Sequence, residues 1–250
     1  MEQTDLIKRA GDLASRCEKS SCVTNTVFLT PAEQQEVTTH AVYSRADVTA
    51  YMFGGAKNCE RKICFFLPYY VDAETFDAAE YIKAVRIQSF FGFPEHRDYL
   101  GAILGLGIER DRIGDIAVIG DTAYVFCMQS VLQLILSELD KVGSCGVKPA
   151  EIALDEVPAP EKKVNIMNFT VKSLRLDAVA GDIFGISRTQ AAELVKLGAV
   201  SLNYNVCIKP DAPVTEGAVI SIRGKGKGCI TEVGGKSRKD RIFIKAERYL

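Results

Sequence analysis

The chain has 250 residues, 47% of them hydrophobic, with a formal net charge of −1, which suits one to three globular domains with substantial cores. No run of about 18 apolar residues is present, which excludes a membrane-spanning helix. Met1 to Lys19 is polar and amphipathic without an apolar signal core, so a cytoplasmic protein with no membrane partner is expected. The eight cysteines (17, 22, 59, 64, 127, 145, 207 and 229) form no C-x-x-C pair, and there are only two histidines. Buried free thiols in a reducing compartment are therefore expected, with neither a metal site nor a cofactor. The near-neutral total hides an asymmetry. Residues 161–250 carry 16 Lys and Arg against 9 Asp and Glu, whereas residues 1–160 carry 15 against 23. A basic C-terminal third behind an acidic body points to a polyanionic partner at one end only.

In chain order, Asp5 to Lys19 reads as a helix with Leu6, Ile7, Ala10, Leu13, Ala14 and Cys17 on one face. A second helix starts at Thr30-Pro31 and runs to about Ala41. Val48 to Phe53 and Glu60 to Leu67 read as strands around Gly54-Gly55. Ile82 to Ser89 alternates like a strand, and His96 to Leu106 is a helix stopped by Gly107. Asp115 to Ile119 and Ala123 to Met128 flank the turn Gly120-Asp121-Thr122. Gln129 to Val142 reads as a long helix ended by Gly143, and Val147 to Val157 as a strand interrupted by Pro149. The resulting β-α-β-β-α-β order is the ferredoxin-like arrangement shared with RNA-recognition modules. Such modules stack bases on sheet aromatics. Tyr124 and Phe126 share a strand face, but the basic, glycine-rich signature of that strand is absent, so the pair reads as core or interface.

Asp155 to Lys163, with two prolines and a charge cluster, reads as a linker. Beyond it, Arg175 to Leu202 reads as two short helices and a strand. Ser187 is the N-cap of the second helix and makes a capping box with Gln190. Ala191, Leu194 and Val195 form its apolar stripe, Lys196 sits in its last turn, and Gly198 stops it. Asn203 to Asn205 is a turn. Val206 to Ile208, Val219 to Arg223, Ile230 to Val233 and Arg241 to Ala246 are strand candidates. The Gly224-Lys225-Gly226-Lys227-Gly228 turn and the Lys236-Ser237-Arg238-Lys239 loop supply clustered positive charge. The expected class is therefore α+β in three parts: a small α/β unit over 1–70, a ferredoxin-like domain over 71–157, and a basic domain over 164–250.

Arg175-Leu176-Asp177, Ser187-Arg188, Leu194 to Val200, Asn203, and Gly217 with Ile220 together resemble the S-four RNA-binding domain, named after ribosomal small-subunit protein four. The resemblance implies that Arg175, Ser187, Arg188, Lys196 and Asn203 touch RNA. Lys209, Arg223, Lys225 and Lys227 extend that basic face. Free N–H groups at Ser187 and Arg188 suit a phosphate, and so does the Arg188 fork. The plainer alternative is that Arg175 and Asp177 merely cap a helical hairpin.

Gly235-Lys236-Ser237 fails as a phosphate-binding loop, because the leading glycine falls at Ile230. Gly105-Leu106-Gly107 fails as a dinucleotide loop, because the third glycine falls at Arg110. Neither His40 nor His96 belongs to a nucleophile pattern. His96-Arg97-Asp98-Tyr99-Leu100-Gly101-Ala102 instead helps to identify a family. With Phe28 to Pro31, Gly54-Gly55, Ser221 to Gly224 and Arg241, it resembles the YlmH-type S-four-domain proteins over nearly the whole chain. The resemblance implies a non-enzymatic binder of structured RNA, rRNA first and tRNA as an alternative. It implies association with stalled large ribosomal subunits. An RNA-modifying enzyme with an unrecognised active site, or a cell-division scaffold binding a protein partner through the acidic body, stays open as an alternative. His96 and Asp98 are expected to cap their helix, with Arg97 paired to an acid.

Overall fold

The computed structural model describes residues 3–39, 47–158, 164–237 and 239–249. His40, the expected helix end at Ala41, linker positions 159–163 and Arg238 lie outside the described residues. The chain divides into two compact units, residues 1–160 and 161–250.

The first unit opens with α1 (Gln3–Ser20), β1 (Thr24–Leu29), α2 (Pro31–Thr39), β2 (Val48–Phe53) and β3 (Lys62–Pro68). The three strands form an antiparallel sheet in the order β1-β3-β2. Leu6, Ala10, Ala14 and Cys17 of α1 pack on Leu29, Val37, Cys64 and Phe66. Pro31 opens α2 where its missing N–H costs nothing, and the Thr30 N–H donates to Glu33 Oε2 at 2.7 Å. Strand β1 has no counterpart among the sequence expectations. Its polar start, Thr24-Asn25-Thr26, hides it. Thr26 is nevertheless buried, with its hydroxyl accepting the Cys64 N–H at 3.0 Å.

A second sheet follows from β4 (Ile82–Ser89), α3 (His96–Gly105), β5 (Ile113–Ile119), β6 (Thr122–Met128), α4 (Gln129–Glu138), β7 (Lys141–Val142) and β8 (Cys145–Ile152). The strands lie antiparallel in the order β5-β6-β4-β8-β7. The α3 crossover thus passes over one strand, β6, and the α4 crossover over two, β4 and β8, to reach β7 at the edge. Tyr99 and Ile103 of α3 and Leu132 and Ile135 of α4 cover Val85, Ile87, Val125 and Cys127 on one face. Helix α4 ends at Glu138, four residues before the expected Val142. Leu139 and Val142 are buried in the same cluster, so their apolar character continues the helical pattern while the backbone has turned into a hairpin. Gly143, at φ +59°, makes the hairpin turn instead of ending the helix. Pro149 fits within β8 because β7 reaches only Cys145 and Gly146, leaving an open edge where its missing N–H is harmless.

The second unit contains β9 (Val164–Val171), α5 (Leu176–Phe184), α6 (Arg188–Lys196), β10 (Val200–Leu202), β11 (Asn205–Val206), β12 (Val219–Ile222), β13 (Gly226–Lys236) and β14 (Ile242–Tyr249). Its sheet runs β11-β10-β12-β13-β14-β9. Leu176, Val179, Ala180, Ile183, Ala191 and Val195 of the helices bury against Ile220, Ile222, Ile230, Ile244 and Ala246. Two expectations change here. Strand β9 pairs with β14 from Val164 to Val171, although its Asn165 and Asn168 give it no clean alternation. Gly226-Lys227-Gly228, expected as turn, is strand. A Cβ at Gly228 would lie 2.7 Å from Ile183 Cγ2, so this glycine marks where β13 runs close beneath α5. The turn itself is tighter, around Gly224 at φ +78°.

Candidate nucleic-acid interface

Helix α6 begins as its sequence dictates. Ser187 is its N-cap, the Gln190 N–H donates to the Ser187 hydroxyl at 3.2 Å, and the Ser187 N–H donates to Gln190 Oε1 at 3.1 Å. The free N–H expected at Ser187 is therefore committed to Gln190, because the capping box satisfies the donor that a phosphate would otherwise claim. At α5 the Leu176 and Asp177 N–H groups donate to the Ala212 and Pro210 carbonyls, each at 2.9 Å. That helix start is closed by the 210–212 segment, which also carries the bridge between Arg175 and Pro213.

What converges at these helix starts is charge. Asp177 is buried, with a side chain only 5% exposed. Its Oδ1 accepts Arg175 Nε at 3.2 Å, and its Oδ2 accepts an Arg175 terminal nitrogen at 2.9 Å and an Arg188 one at 3.2 Å. Burial pushes the Asp177 carboxyl up, but hydrogen bonds from Arg175 and Arg188 outweigh it and hold the group below the ordinary aspartate value. The two guanidiniums remain 39% and 54% exposed. One buried anion thus fixes two solvent-facing forks, and the group keeps a net positive charge. Asp177 is a structural member that the two arginines share, more than the surface cap the sequence allowed.

The other basic residues fall nearby in the chain but play different parts. Lys196 is exposed in the last turn of α6. The Arg223 N–H donates to the Ala199 carbonyl at 3.0 Å, which brings the end of β12 against the loop that follows Lys196. Lys225 is exposed at the tight turn, and Lys227 lies 5.0 Å over the Tyr249 ring. Lys209 is exposed in the segment that closes α5. Asn203 stands apart from these. It adopts φ +48° in a turn with Tyr204, and its Oδ1 accepts the Val219 N–H at 2.9 Å, so its amide oxygen already holds the β10 turn. Sequence reasoning missed Arg248. Its guanidinium lies 5.5 Å over the Phe184 ring and donates to the Lys225 carbonyl at 3.3 Å. A strand cation stacked on a helix aromatic far away in the sequence leaves no short-range motif. Lys236 pairs with Asp240 at 2.7 Å, and Arg241 is bound to Thr170 by its side chain.

In the first unit, Phe126 is buried between the two sheets, packed among Phe28, Ile63, Phe65 and Ala84, while Tyr124 is half-buried. His96 is the first residue of α3 and is exposed. The cap is Glu95 rather than His96. Its N–H donates to Asp98 Oδ2 at 2.8 Å, and Arg97 pairs with Glu95 at 3.2 Å. Burial pushes the thiols of Cys64 and Cys127 up to about 12 and that of Cys59 to about 11, far from thiolate chemistry. Among the described residues no group of three His, Cys, Asp or Glu could hold a metal ion. No helix among them is long and apolar enough to cross a membrane.

Comparison with known proteins places these features. Residues 79–156, which span the five-stranded sheet and its helices, match the family described as a putative RNA-binding domain in YlmH. The ribosome-associated protein quality control protein P2 of Bacillus subtilis (strain 168) is 34% identical over 223 residues, covering 89% of this chain and 86% of that protein. The solved structure of the cell division protein ylmH from Streptococcus pneumoniae superposes with a TM-score of 0.53 at 22% identity, over 64% of this chain and 96% of that one, a likeness of fold. Similarity of that extent across both protein lengths settles the family: the chain belongs to the YlmH-type RNA-binding proteins.

Proposed function

We propose that this protein is a ribosome-associated factor that acts by docking on structured RNA, without catalysis, on stalled large subunits. In this reading residues 164–250 form an S-four RNA-binding domain and residues 71–157 a ferredoxin-like one, as the β5-β6-β4-β8 strand order supports. The single observation that carries the proposal is the sharing of Asp177 by Arg175 and Arg188. Two guanidiniums held at a fixed spacing, more than a third exposed, are prepared to grip phosphate oxygens with little ordering left to do. In this reading Lys196, Arg223, Lys225 and Lys227 add further contacts to the RNA backbone. The Bacillus subtilis relative, a ribosome-associated protein quality control protein, supports the setting.

Sedimentation with purified large ribosomal subunits tests the reading. The intact chain should travel with the subunit, and Arg188→Ala should release much of it at about 150 mM salt. Equal retention of wild type and variant across a salt series would remove the helical hairpin from the docking surface. Incubation with rRNA followed by nucleoside mass spectrometry should show no modified base.

A further inference from the structure

The five-stranded sheet has one face under helices, and the other face divides into two halves. Ile82 and Ala84 of β4, Phe126 of β6 and Ile152 of β8 are covered by the three-stranded sheet. The register continues along the same face to Arg86 and Gln88, which pair with Tyr124 and Thr122 on β6 and with Ala150 and Lys148 on β8. On β5, Ala117 and Ile119 complete that half opposite Tyr124 and Thr122. Arg86, Gln88, Lys148 and Ile119 are exposed. At the end of β4 the ladder continues through the Phe90 N–H, which donates to the Gly146 carbonyl at 3.0 Å. The Phe90 ring is 58% exposed and lies against Gly146, where an added Cβ would be 3.4 Å from the ring.

Resting on the match of residues 79–156 to a putative RNA-binding domain, we propose that the RNA this unit takes is unpaired and sits on this open half-sheet, separate from the C-terminal basic face. Arg86 stands directly across the strand from Tyr124, and cross-strand neighbours on one face lie about 5 Å apart. A base stacked on Tyr124 therefore has a guanidinium beside it for its phosphate. Four residues along the strand, roughly 13 Å away, Phe90 offers a second ring, a spacing that suits a short extended segment. Neither Arg86 nor Lys148 has an ion-pair or hydrogen-bond partner among the described residues, in contrast to the arginines on Asp177. No carboxylate occurs among the paired residues of the open half; the nearest in the chain, Asp121, is in the β5–β6 turn. Glu151 belongs to the other face, where it pairs with Lys83 at 3.6 Å. Unpaired cations flanking an aromatic on an acid-free face match a polyanion whose bases are free to stack. A-form duplex, whose bases are stacked internally, has nothing to place on Tyr124.

The test uses the full-length chain, fluorescence anisotropy, a labelled ten-nucleotide oligouridine and a labelled RNA hairpin. The double variant Arg86→Ala/Lys148→Ala removes exposed side chains, so its melting temperature should match the wild type. It should lower the salt slope for oligouridine by about 1.4, two phosphates at roughly 0.7 each for single strands. Tyr124→Ala should weaken oligouridine binding by roughly fivefold to a hundredfold, the range set by loss of one stacked base, and Tyr124→Phe should restore most of it. Hairpin affinity should move less than twofold, while Arg188→Ala should show the opposite pattern. The proposal is overturned if the wild type does not bind oligouridine, or if the folded double variant keeps both affinity and slope. It is also overturned if the two RNAs weaken equally, which is the mark of a general field effect.

Discussion

Asp177→Asn tests whether a buried anion organises the basic face. The substitution keeps shape and hydrogen-bonding capacity but removes the charge that two arginines share. Breaking a fully buried pair costs about 3–5 kcal/mol, but these guanidiniums can be rehydrated where they stand, so about 1–3 kcal/mol is the appropriate scale. The linkage has a definite sign. The Asp177 carboxyl is held below its ordinary value of about 3.9, so its contribution to stability is present above that pH and is lost as pH falls through the lowered folded value. Wild type and Asp177→Asn should therefore differ in melting temperature at pH 7 and converge below about pH 4. RNA binding should respond in another way. Both arginines survive, so the salt slope is retained, but Arg188 must now be ordered on binding, at about 0.5–1.5 kcal/mol, or roughly two- to tenfold in Kd. Thermal melts from pH 3 to 7 and hairpin titrations at several salt concentrations read both quantities. A variant that matches wild type in melting temperature and in Kd would refute the organising role of Asp177.

Three further outcomes follow from single contacts. Ser187→Ala should cost about 1 kcal/mol through the lost cap while leaving the RNA salt slope unchanged, whereas Arg188→Ala should remove about one unit of slope for a helical RNA, as chemical denaturation and salt titration will show. Gly228→Ala places a methyl 2.7 Å from Ile183 Cγ2 and should destabilise the chain by about 1–3 kcal/mol, read as a lower denaturation midpoint. Phe126→Ala opens a hole between the two sheets and should cost about 3–5 kcal/mol; a loss below 1 kcal/mol in urea unfolding would contradict its burial.

The legible parts of the fold were those written in local chemistry. The Ser187–Gln190 box, the alternation from Ile82 to Ser89 and the Pro31 helix start need only neighbours in sequence, and each appears where the pattern put it. The illegible parts depend on partners far along the chain. Strand β1 is defined by its pairing with β3, and β7 by its pairing with β8. Asp177 could be read as a surface cap because its second partner, Arg188, is brought to it only by the helical hairpin. Gly228 looked like turn chemistry because a glycine needed for close approach and one needed for a turn are the same letter. Tyr124 and Phe126 were paired by their spacing. Only the three-stranded sheet, which covers one and stops short of the other, separates a core residue from a half-exposed one.

Charge summed over a unit is a poor guide to where RNA can sit. Residues 1–160 carry eight more acids than bases, which by itself argues against a polyanion on that unit. At physiological ionic strength, however, the Debye length is about 8 Å, so a phosphate near Arg86 responds to groups within one or two strand spacings and little to the remainder. On its own face the register supplies Tyr124, Ala150, Gln88 and Lys148, while Glu151 lies on the other face, paired with Lys83. That face therefore carries two cations and no paired carboxylate, on a unit whose total is negative. The same screening explains why acidity does not separate a binding sheet from an inert one. What separates the two halves is coverage: Phe126 is sealed between the sheets, whereas Tyr124 is half-exposed opposite Arg86.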